Sequence, residues 1–194
     1  VNQDAFAAWC GQAESNLLKG AAAAIADGVS SCADSHVASQ TAVTSFLDDY
    51  SSTPYTWSVH KSARQIISGL NAWIYQQNTN RASHNDSLLT TFSAVVLKSN
   101  TLHCFHVGDS RVYHVRGDAI ERLTQDHVRT ERGQEYLTRA LGADRHLELD
   151  YSTHELQVGD LVLLSTDGVH GVLKRSEMLD LITEHGTTDL ELLA

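Results

Sequence analysis

Two kinds of apolar pattern alternate along the first part of the chain, and each predicts a different element. Short apolar runs occupy residues 4–9 (DAFAAW) and 21–26 (AAAAIA), and Asp27 and Gly28 follow the second run directly. Alanine alone favours helix, but a run this short that stops at Asp-Gly predicts a buried strand. Between residues 37 and 77 the apolar positions recur every three or four residues instead, which predicts two helices.

The two predicted helices each have one apolar face. On the first, the apolar residues are Val37, Ala38, Ala42, Val43, Phe46 and Leu47. On the second, which runs from Val59 to about residue 77, they are Val59, Ala63, Ile66, Ile67, Leu70, Trp73 and Ile74. We expect the apolar face of the second helix in the core, Trp73 included. Residues 79–86 (TNRASHND) read as a polar loop.

From residue 89 the period becomes that of strands. The segments TTFSAVVL and LHCFHVGD flank the polar turn SNT, and RVYHV and IERL flank RGDA, so each pair predicts a β-hairpin. Residues 133–142 predict irregular structure with a helical turn. Residues 147–151 and 161–165 are strand candidates joined through the turn 158–160. A short helix is expected over residues 176–184, capped by Ser176, and another begins near residue 188. This order predicts one domain of antiparallel sheets covered by helices.

Three of the strand-like segments, far apart in the chain, end on an aspartate with a glycine beside it. These aspartates are Asp27, Asp109 and Asp167, the last within LVLLSTDGVHGVL. An isolated Asp-Gly most often marks a turn. If the three strands share a core, however, their ends can converge. Carboxylates in one small volume repel each other unless cations neutralise them, so the pattern predicts a metal site.

Composition and charge exclude several classes of function. The chain has 194 residues and a formal net charge of -10, with no basic stripe, which argues against nucleic-acid binding. We expect no membrane contact, because no apolar run approaches a membrane span, and no signal peptide is visible. The three cysteines show no paired spacing, which favours the reducing cytoplasm. Zinc motifs are absent from the sequence.

Carboxylates without cysteine or clustered histidine select hard cations, Mg²⁺ or Mn²⁺. The adjacent glycines let backbone carbonyls or water approach the ions. Two ions about 3.5–4 Å apart can share a water, lower its pKa and direct it at phosphorus. No Walker loop or Gly-x-Ser-x-Gly elbow offers a competing chemistry. The residues alone therefore predict a two-metal phosphoesterase.

A longer stretch, VGDSRVYHVRGDAIERLTQDH at residues 107–127, resembles the metal-dependent protein phosphatases of type 2C. Further segments match that family in the same order: NQDAF, AIADGVSS, YLTRALG and GDLVLLSTDGV. The likeness is to the bacterial branch, which is often joined to a protein kinase. It implies an α+β fold, a four-layer α-β-β-α sandwich of two antiparallel sheets flanked by helices. Residues 1–194 are then expected to form a single catalytic domain, truncated at both ends.

The resemblance also implies roles for individual residues. Asp27 would bridge both ions, with the Gly28 carbonyl as a further ligand, and Asp167 would bind the second ion. Asp4 would lie beside the first ion, mostly through water, and Asp109 would hold an additional, weaker ion. Asp27 and Asp167 would thus carry catalysis. The alternatives are a strand-edge charge for Asp4 and a cap of its own loop for Asp109. We expect Arg111 to hold its loop rather than touch substrate.

Three features of the family pattern have no counterpart. The phosphate-gripping arginine would fall before Val1, and a final metal-binding Asp of an Asp-Asn motif is missing. Val29 stands where some members carry a histidine thought to act as general acid. Truncation of the chain accounts for the first two, and an incomplete site is the other explanation.

The function implied is a serine/threonine protein phosphatase that uses two Mn²⁺ or Mg²⁺ ions, with a third ion at Asp109. Its substrates would be phosphorylated proteins, among them a fused or associated kinase. It would act in the cytoplasm, and a membrane tether elsewhere in a full-length protein stays open. The alternative is a phosphatase-like module that binds a phosphorylated kinase or regulatory partner without turnover.

Overall fold

The computed structural model describes residues 2–11, 18–32, 34–81 and 87–185. Most of the predicted polar loop and the helix expected near residue 188 lie outside these residues. No helix in the described ranges is long and apolar enough to cross a membrane.

Ten strands are formed by the described residues. In chain order they are β1 (Asp4–Cys10), β2 (Ala21–Asp27), β3 (Phe92–Lys98), β4 (Thr101–Val107), β5 (Arg111–Arg116), β6 (Ala119–Arg122), β7 (Val128–Glu131), β8 (Gln134–Leu137), β9 (Asp150–Glu155) and β10 (Leu161–Ser165). All the strand pairs are antiparallel. The alanine-rich segment is a strand, as predicted, and alternate alanines of β2 are buried.

The strands divide between two main sheets. One has the order β1-β2-β3-β4-β9 and the other the order β10-β5-β6, while β7 and β8 form a separate hairpin. A buried apolar cluster, the inter-sheet cluster, joins the two main sheets and includes Val95 and Cys104 of the first and Val112 of the second. Val162 and Leu164 of β10 pack against it. The sheets therefore face each other across an apolar layer.

Four helices complete the described fold: α1 (Ser35–Ser52), α2 (Val59–Thr79), α3 (Asp167–His170) and α4 (Arg175–His185). Helices α1 and α2 cover the outer face of the five-stranded sheet, where Phe46, Ile67 and Ile74 are fully buried among strand residues such as Phe92 and Phe105. Helix α4 contacts β6 of the other sheet. The expected sandwich of two antiparallel sheets with helices outside is confirmed.

The structure corrects four local predictions. Residues 128–137 form the hairpin β7–β8 instead of irregular structure, with Arg132 and Gly133 at positive φ (52° and 81°) as a tight hairpin turn requires. Strands β9 and β10 belong to different sheets, so the turn between them is a crossover. Trp73 is 45% exposed and lies outside the core. Helix α4 begins at Arg175, and the Glu177 carboxylate accepts the Lys174 N–H at 2.7 Å, so Ser176 is not the cap.

Candidate metal centre

Asp4 and Asp27 meet because of strand pairing. Asp4 opens β1 and Asp27 closes β2, and the two residues are register partners across the antiparallel pair. Cross-strand partners have Cβ atoms about 4.5–5.5 Å apart. A one-residue slip of this register would send one carboxylate to the other face of the sheet, so the pairing of two alanine-rich strands sets the geometry of two acids.

Asp167 reaches the same place from the second sheet. Strand β10 ends at Ser165, and Asp167 is the first residue of α3, whose first turn closes through the Gly171 N–H and the Asp167 carbonyl at 2.7 Å. The Asp-Gly is therefore a helix start rather than a hairpin turn. Thr166, between strand and helix, directs its hydroxyl at Asp4 Oδ2 at 3.5 Å. This long contact joins the two sheets at the acidic end of the sandwich.

Asp109 lies in the connection from β4 to β5, next to Gly108. Gly108 has φ of +110°, and a Cβ there would lie 2.6 Å from the Thr91 Cβ. Only glycine fits this conformation and this close approach. The glycine beside the acid thus brings the loop that carries Asp109 against Thr91, whose N–H donates to the Asp27 carbonyl.

Burial and neighbouring carboxylates shift the pKa values of Asp4, Asp27 and Asp109. Burial, together with the charges of Asp4, Asp167 and Asp109, raises the pKa of Asp27 to about 7. Burial and the Asp167 charge also raise the pKa values of Asp4 and Asp109 above the ordinary range. These residues form what we call the acidic cluster: Asp4, Asp27, Asp109 and Asp167. Strands from both sheets therefore bring together the acids that the sequence singled out.

The backbone around Asp27 is fully engaged. Its N–H donates to Thr91 Oγ1 at 2.9 Å, and its carbonyl accepts the Thr91 N–H at 2.8 Å and the Thr90 hydroxyl at 2.9 Å. Gly28 donates its N–H to the Gln3 carbonyl at 3.0 Å. A Cβ at Gly28 would lie 2.6 Å from the Ser35 carbonyl carbon, so glycine is required for the strand to pass helix α1. These contacts fix the backbone position from which the Asp27 side chain extends.

The loop that carries Asp109 is held on its far side by ionic and histidine contacts. Arg111 makes a two-pronged ion pair with Asp126, with Nη2–Oδ2 at 2.7 Å and Nε–Oδ1 at 3.1 Å. His127 accepts the Gly108 N–H on Nδ1 at 3.1 Å and donates its own N–H to the Gly108 carbonyl at 2.8 Å. Arg111 thus holds the loop, as expected. The role of Thr91 carries no signal in the sequence, because a strand threonine is common in any fold. His127 ends the stretch 107–127 that resembles the family, but the stretch alone does not indicate its contact with Gly108.

The donor set fits hydrated Mg²⁺ or Mn²⁺. No three His, Cys, Asp or Glu side chains of the described residues close around a single ion position. The acidic cluster therefore does not enclose an ion position, although the charges of its members repel one another. Magnesium binds through one or two carboxylates and keeps several waters, and oxygen donors select it. Cations would remove the mutual repulsion that raises the pKa of Asp27. The family pattern's histidine position is occupied by Val29, which cannot donate a proton.

Comparison with known proteins relates this arrangement to one family. The family model for protein phosphatase 2C matches residues 1–188. The protein phosphatase PhpP of Streptococcus pneumoniae is 27% identical over 110 residues, which cover 48% of this chain and 45% of that protein. The chain thus spans about half the length of PhpP.

Two further comparisons cover more of the chain. The serine/threonine phosphatase stp of Listeria innocua is 27% identical over 185 residues, covering 84% of this chain and 72% of that protein. The structure of the S. agalactiae serine/threonine phosphatase superposes with a TM-score of 0.81 at 21% identity, covering 100% of this chain and 86% of that chain. At this identity the superposition shows a shared fold.

Proposed function

This chain belongs to the protein phosphatase 2C family, and from this premise we propose that the protein hydrolyses phosphoserine and phosphothreonine monoesters on phosphoproteins with two Mn²⁺ or Mg²⁺ ions. Family membership implies dependence on a divalent cation. The observation that carries the proposal is the acidic cluster, in which the pKa of Asp27 is raised to about 7 by burial and by three other aspartates. Such mutual repulsion is destabilising in a structural site and is typical of functional sites.

The proposed roles follow from position. Asp27, central to the cluster, would bridge two ions, with the Gly28 carbonyl beside it. Asp4 would orient water at one ion and Asp167 would hold the other, and Asp109 would hold a further, weaker ion. When bound, two such ions supply a water of lowered pKa and neutralise the charge of the phosphate. The chain's own contribution is to fix these oxygens on strand ends and to keep Asp27 ionised once cations are present.

The proposed substrate class is phosphorylated protein, and a fused or associated protein kinase is a candidate partner. We also propose that residues 1–194 belong to one catalytic domain and that this domain acts in the cytoplasm. Open access to the acidic cluster supports a protein substrate, because Asp4 is exposed at the start of its strand.

A second candidate is a module that binds a phosphorylated partner without turnover. It is favoured by one observation, the failure of any three described side chains to close around an ion. The intact acidic cluster argues for the enzyme, because a binding module gains nothing from four mutually repelling acids.

The test is a phosphatase assay with a phosphothreonine peptide, titrated with Mn²⁺ and Mg²⁺ and stopped with EDTA. We expect turnover that requires metal and is lost in Asp27→Asn. The assay is run on this chain and on a longer chain extended at both ends. Measurable Mn²⁺ binding without turnover in either chain would refute the enzyme and leave the binding module.

A further inference from the structure

The buried hydroxyl of Thr91 lies between two members of the acidic cluster. Thr91 is 2% exposed and directly precedes β3. Its Oγ1 accepts the Asp27 N–H at 2.9 Å and lies 2.6 Å from Ser110 Oγ, and Ser110 directly follows Asp109. One oxygen atom therefore contacts the backbone of Asp27 and the residue beside Asp109.

Two further contacts make this connection rigid. The Thr91 N–H donates to the Asp27 carbonyl at 2.8 Å, so Thr91 engages both polar backbone groups of Asp27. On the opposite side, the Thr91 Cβ and Cγ2 fill the space where a side chain of Gly108 would lie, at 2.6 and 2.7 Å from an ideal Cβ. Thr91 is thus packed against the loop of Asp109 and hydrogen-bonded to the strand of Asp27.

Hydrogen-bond chemistry requires the hydroxyl in this place. Among the described hydrogen bonds, Thr91 Oγ1 is the acceptor of the Asp27 N–H. A buried N–H without an acceptor costs free energy of folding. Because Oγ1 accepts from Asp27, it can donate its own proton to Ser110 Oγ. The Ser93 hydroxyl, which lies 3.4 Å from the Ser110 carbonyl, continues the network to His106 Nδ1 at 2.9 Å. His106 is held from the other side by the Gln125 carbonyl at 3.0 Å.

We propose that Thr91 is a positioning residue, whose hydroxyl fixes the separation between the Asp27 and Asp109 carboxylates and thereby sets the affinity of the site for divalent cations. This inference deepens the proposed function and rests on it for the identity of the ions. Thr91 does not touch the ions. It acts through the backbone of Asp27 and through Ser110.

The test compares substitutions that separate the hydroxyl from the shape of the side chain. Thr91→Val keeps the branched shape and removes the hydroxyl, whereas Thr91→Ser keeps the hydroxyl and removes the methyl group. Thr124→Val is the matched control, because Thr124 is also buried and its Oγ1 also accepts a backbone N–H, that of Val112 at 3.1 Å. Thr124 contacts no member of the acidic cluster in this way.

The readout is Mn²⁺ binding without substrate, followed from the electron paramagnetic resonance signal of free Mn²⁺. We expect Thr91→Val to weaken binding by about tenfold, as loss of groups that orient metal ligands commonly does. Thr91→Ser should stay within about threefold of the wild type, and Thr124→Val within about twofold. Equal isotherms for Thr91→Val and Thr124→Val would overturn the proposal.

Circular dichroism and thermal midpoints verify that each variant is folded. If Thr91→Val does not fold, Ser110→Ala decides, because it removes only the partner of the Thr91 hydroxyl. Weaker Mn²⁺ binding in Ser110→Ala would support the proposal, and wild-type binding would overturn it. Mn²⁺ binding by the wild type without turnover would refute the proposed function alone, because these isotherms do not depend on catalysis.

Discussion

Two groups of aspartates in this molecule experience opposite electrostatic environments. In the acidic cluster, burial and neighbouring carboxylates raise the pKa values of Asp4, Asp27 and Asp109. Asp126 and Asp160 are instead paired with arginine. Burial alone would raise the pKa of Asp126, but its ion pair with Arg111 outweighs burial and lowers it. The hydrogen bond from Arg116, at 2.7 Å, holds the pKa of Asp160 well below its usual range.

The difference separates acids that are paired with arginine in the fold from acids whose charges the proposed divalent cations would neutralise. The chain contains 14 lysines and arginines, and the structure directs Arg111 and Arg122 to Asp126, and Arg116 to Asp160. A lysine or arginine beside the acidic cluster would have offset its negative charge. In the described part of the chain, no arginine or lysine forms an ion pair with the acidic cluster. This costs stability, and the divalent cations of the proposed function would supply the missing positive charge.

The largest effect is expected from neutralising the central acid. Asp27→Asn should reduce phosphatase turnover by at least about 1,000-fold, or about 4 kcal/mol of transition-state stabilisation, because an amide cannot neutralise two cations. The measurement is kcat/KM with a phosphothreonine peptide at saturating Mn²⁺. Asp160→Asn, which changes a paired acid, is the control and should stay within about threefold of the wild type. Similar losses in both variants would remove the functional distinction between the two groups.

A stability effect of intermediate size is expected from breaking a paired acid. Arg111→Ala should lower the free energy of unfolding by about 1–2 kcal/mol, because it leaves Asp126, whose side chain is only 16% exposed, without its two-pronged partner. Urea denaturation measures the change. Arg129→Ala is the matched control, since its ion pair with Glu131 is 65% and 56% exposed, and its effect should stay within about 0.5 kcal/mol. Equal losses would mean that the Arg111 pair is no more than a surface contact.

The sequence predicted the acidic cluster better than it predicted the surroundings of that cluster. Asp27, Asp109 and Asp167 could be found because each follows a recognisable apolar run, and because strand ends of one sandwich converge. The hairpin β7–β8 was missed because its side chains are almost all exposed and leave no hydrophobic alternation. Trp73 was misplaced because apolar periodicity does not show how wide the buried face of a helix is.

Sheet membership and the hydroxyl network were beyond the sequence for a different reason. The pattern over residues 147–165 predicts two strands joined through a turn but does not indicate which sheet each strand joins, since only pairing partners such as His106 and Asp150 assign β9 to the first sheet. Thr91 reads as an ordinary strand residue, because its role depends on Asp27 and Ser110, which are 64 and 19 residues away. Long-range contacts of this kind exist only once the fold has formed.

A smaller effect is expected at the edge of the acidic cluster. Asp109→Asn should raise the Mn²⁺ concentration needed for half-maximal activity by about tenfold, or about 1.4 kcal/mol, with little change in turnover at saturating metal. The reason is that Asp109 stands on a separate loop, so the Asp4–Asp27 pair remains. An unchanged metal requirement would assign Asp109 to capping its own loop and remove it from the ligand set.

The smallest effect concerns the protein without metal. Burial and the charges of the neighbouring aspartates together raise the folded-state pKa of Asp27 from 3.8 to about 7. Its protonated form therefore favours the folded state, and that contribution is fully present below about pH 4 and is lost as the pH rises through about 7. Asp27→Asn, which stays neutral, should be more stable than the wild type at pH 8 by an amount on the order of 1 kcal/mol, and the difference should shrink towards pH 4. Urea denaturation in EDTA across this range measures it. A difference that does not vary with pH would show that Asp27 carries no repulsion, and the contrast between the two groups of aspartates would then fail at its central residue.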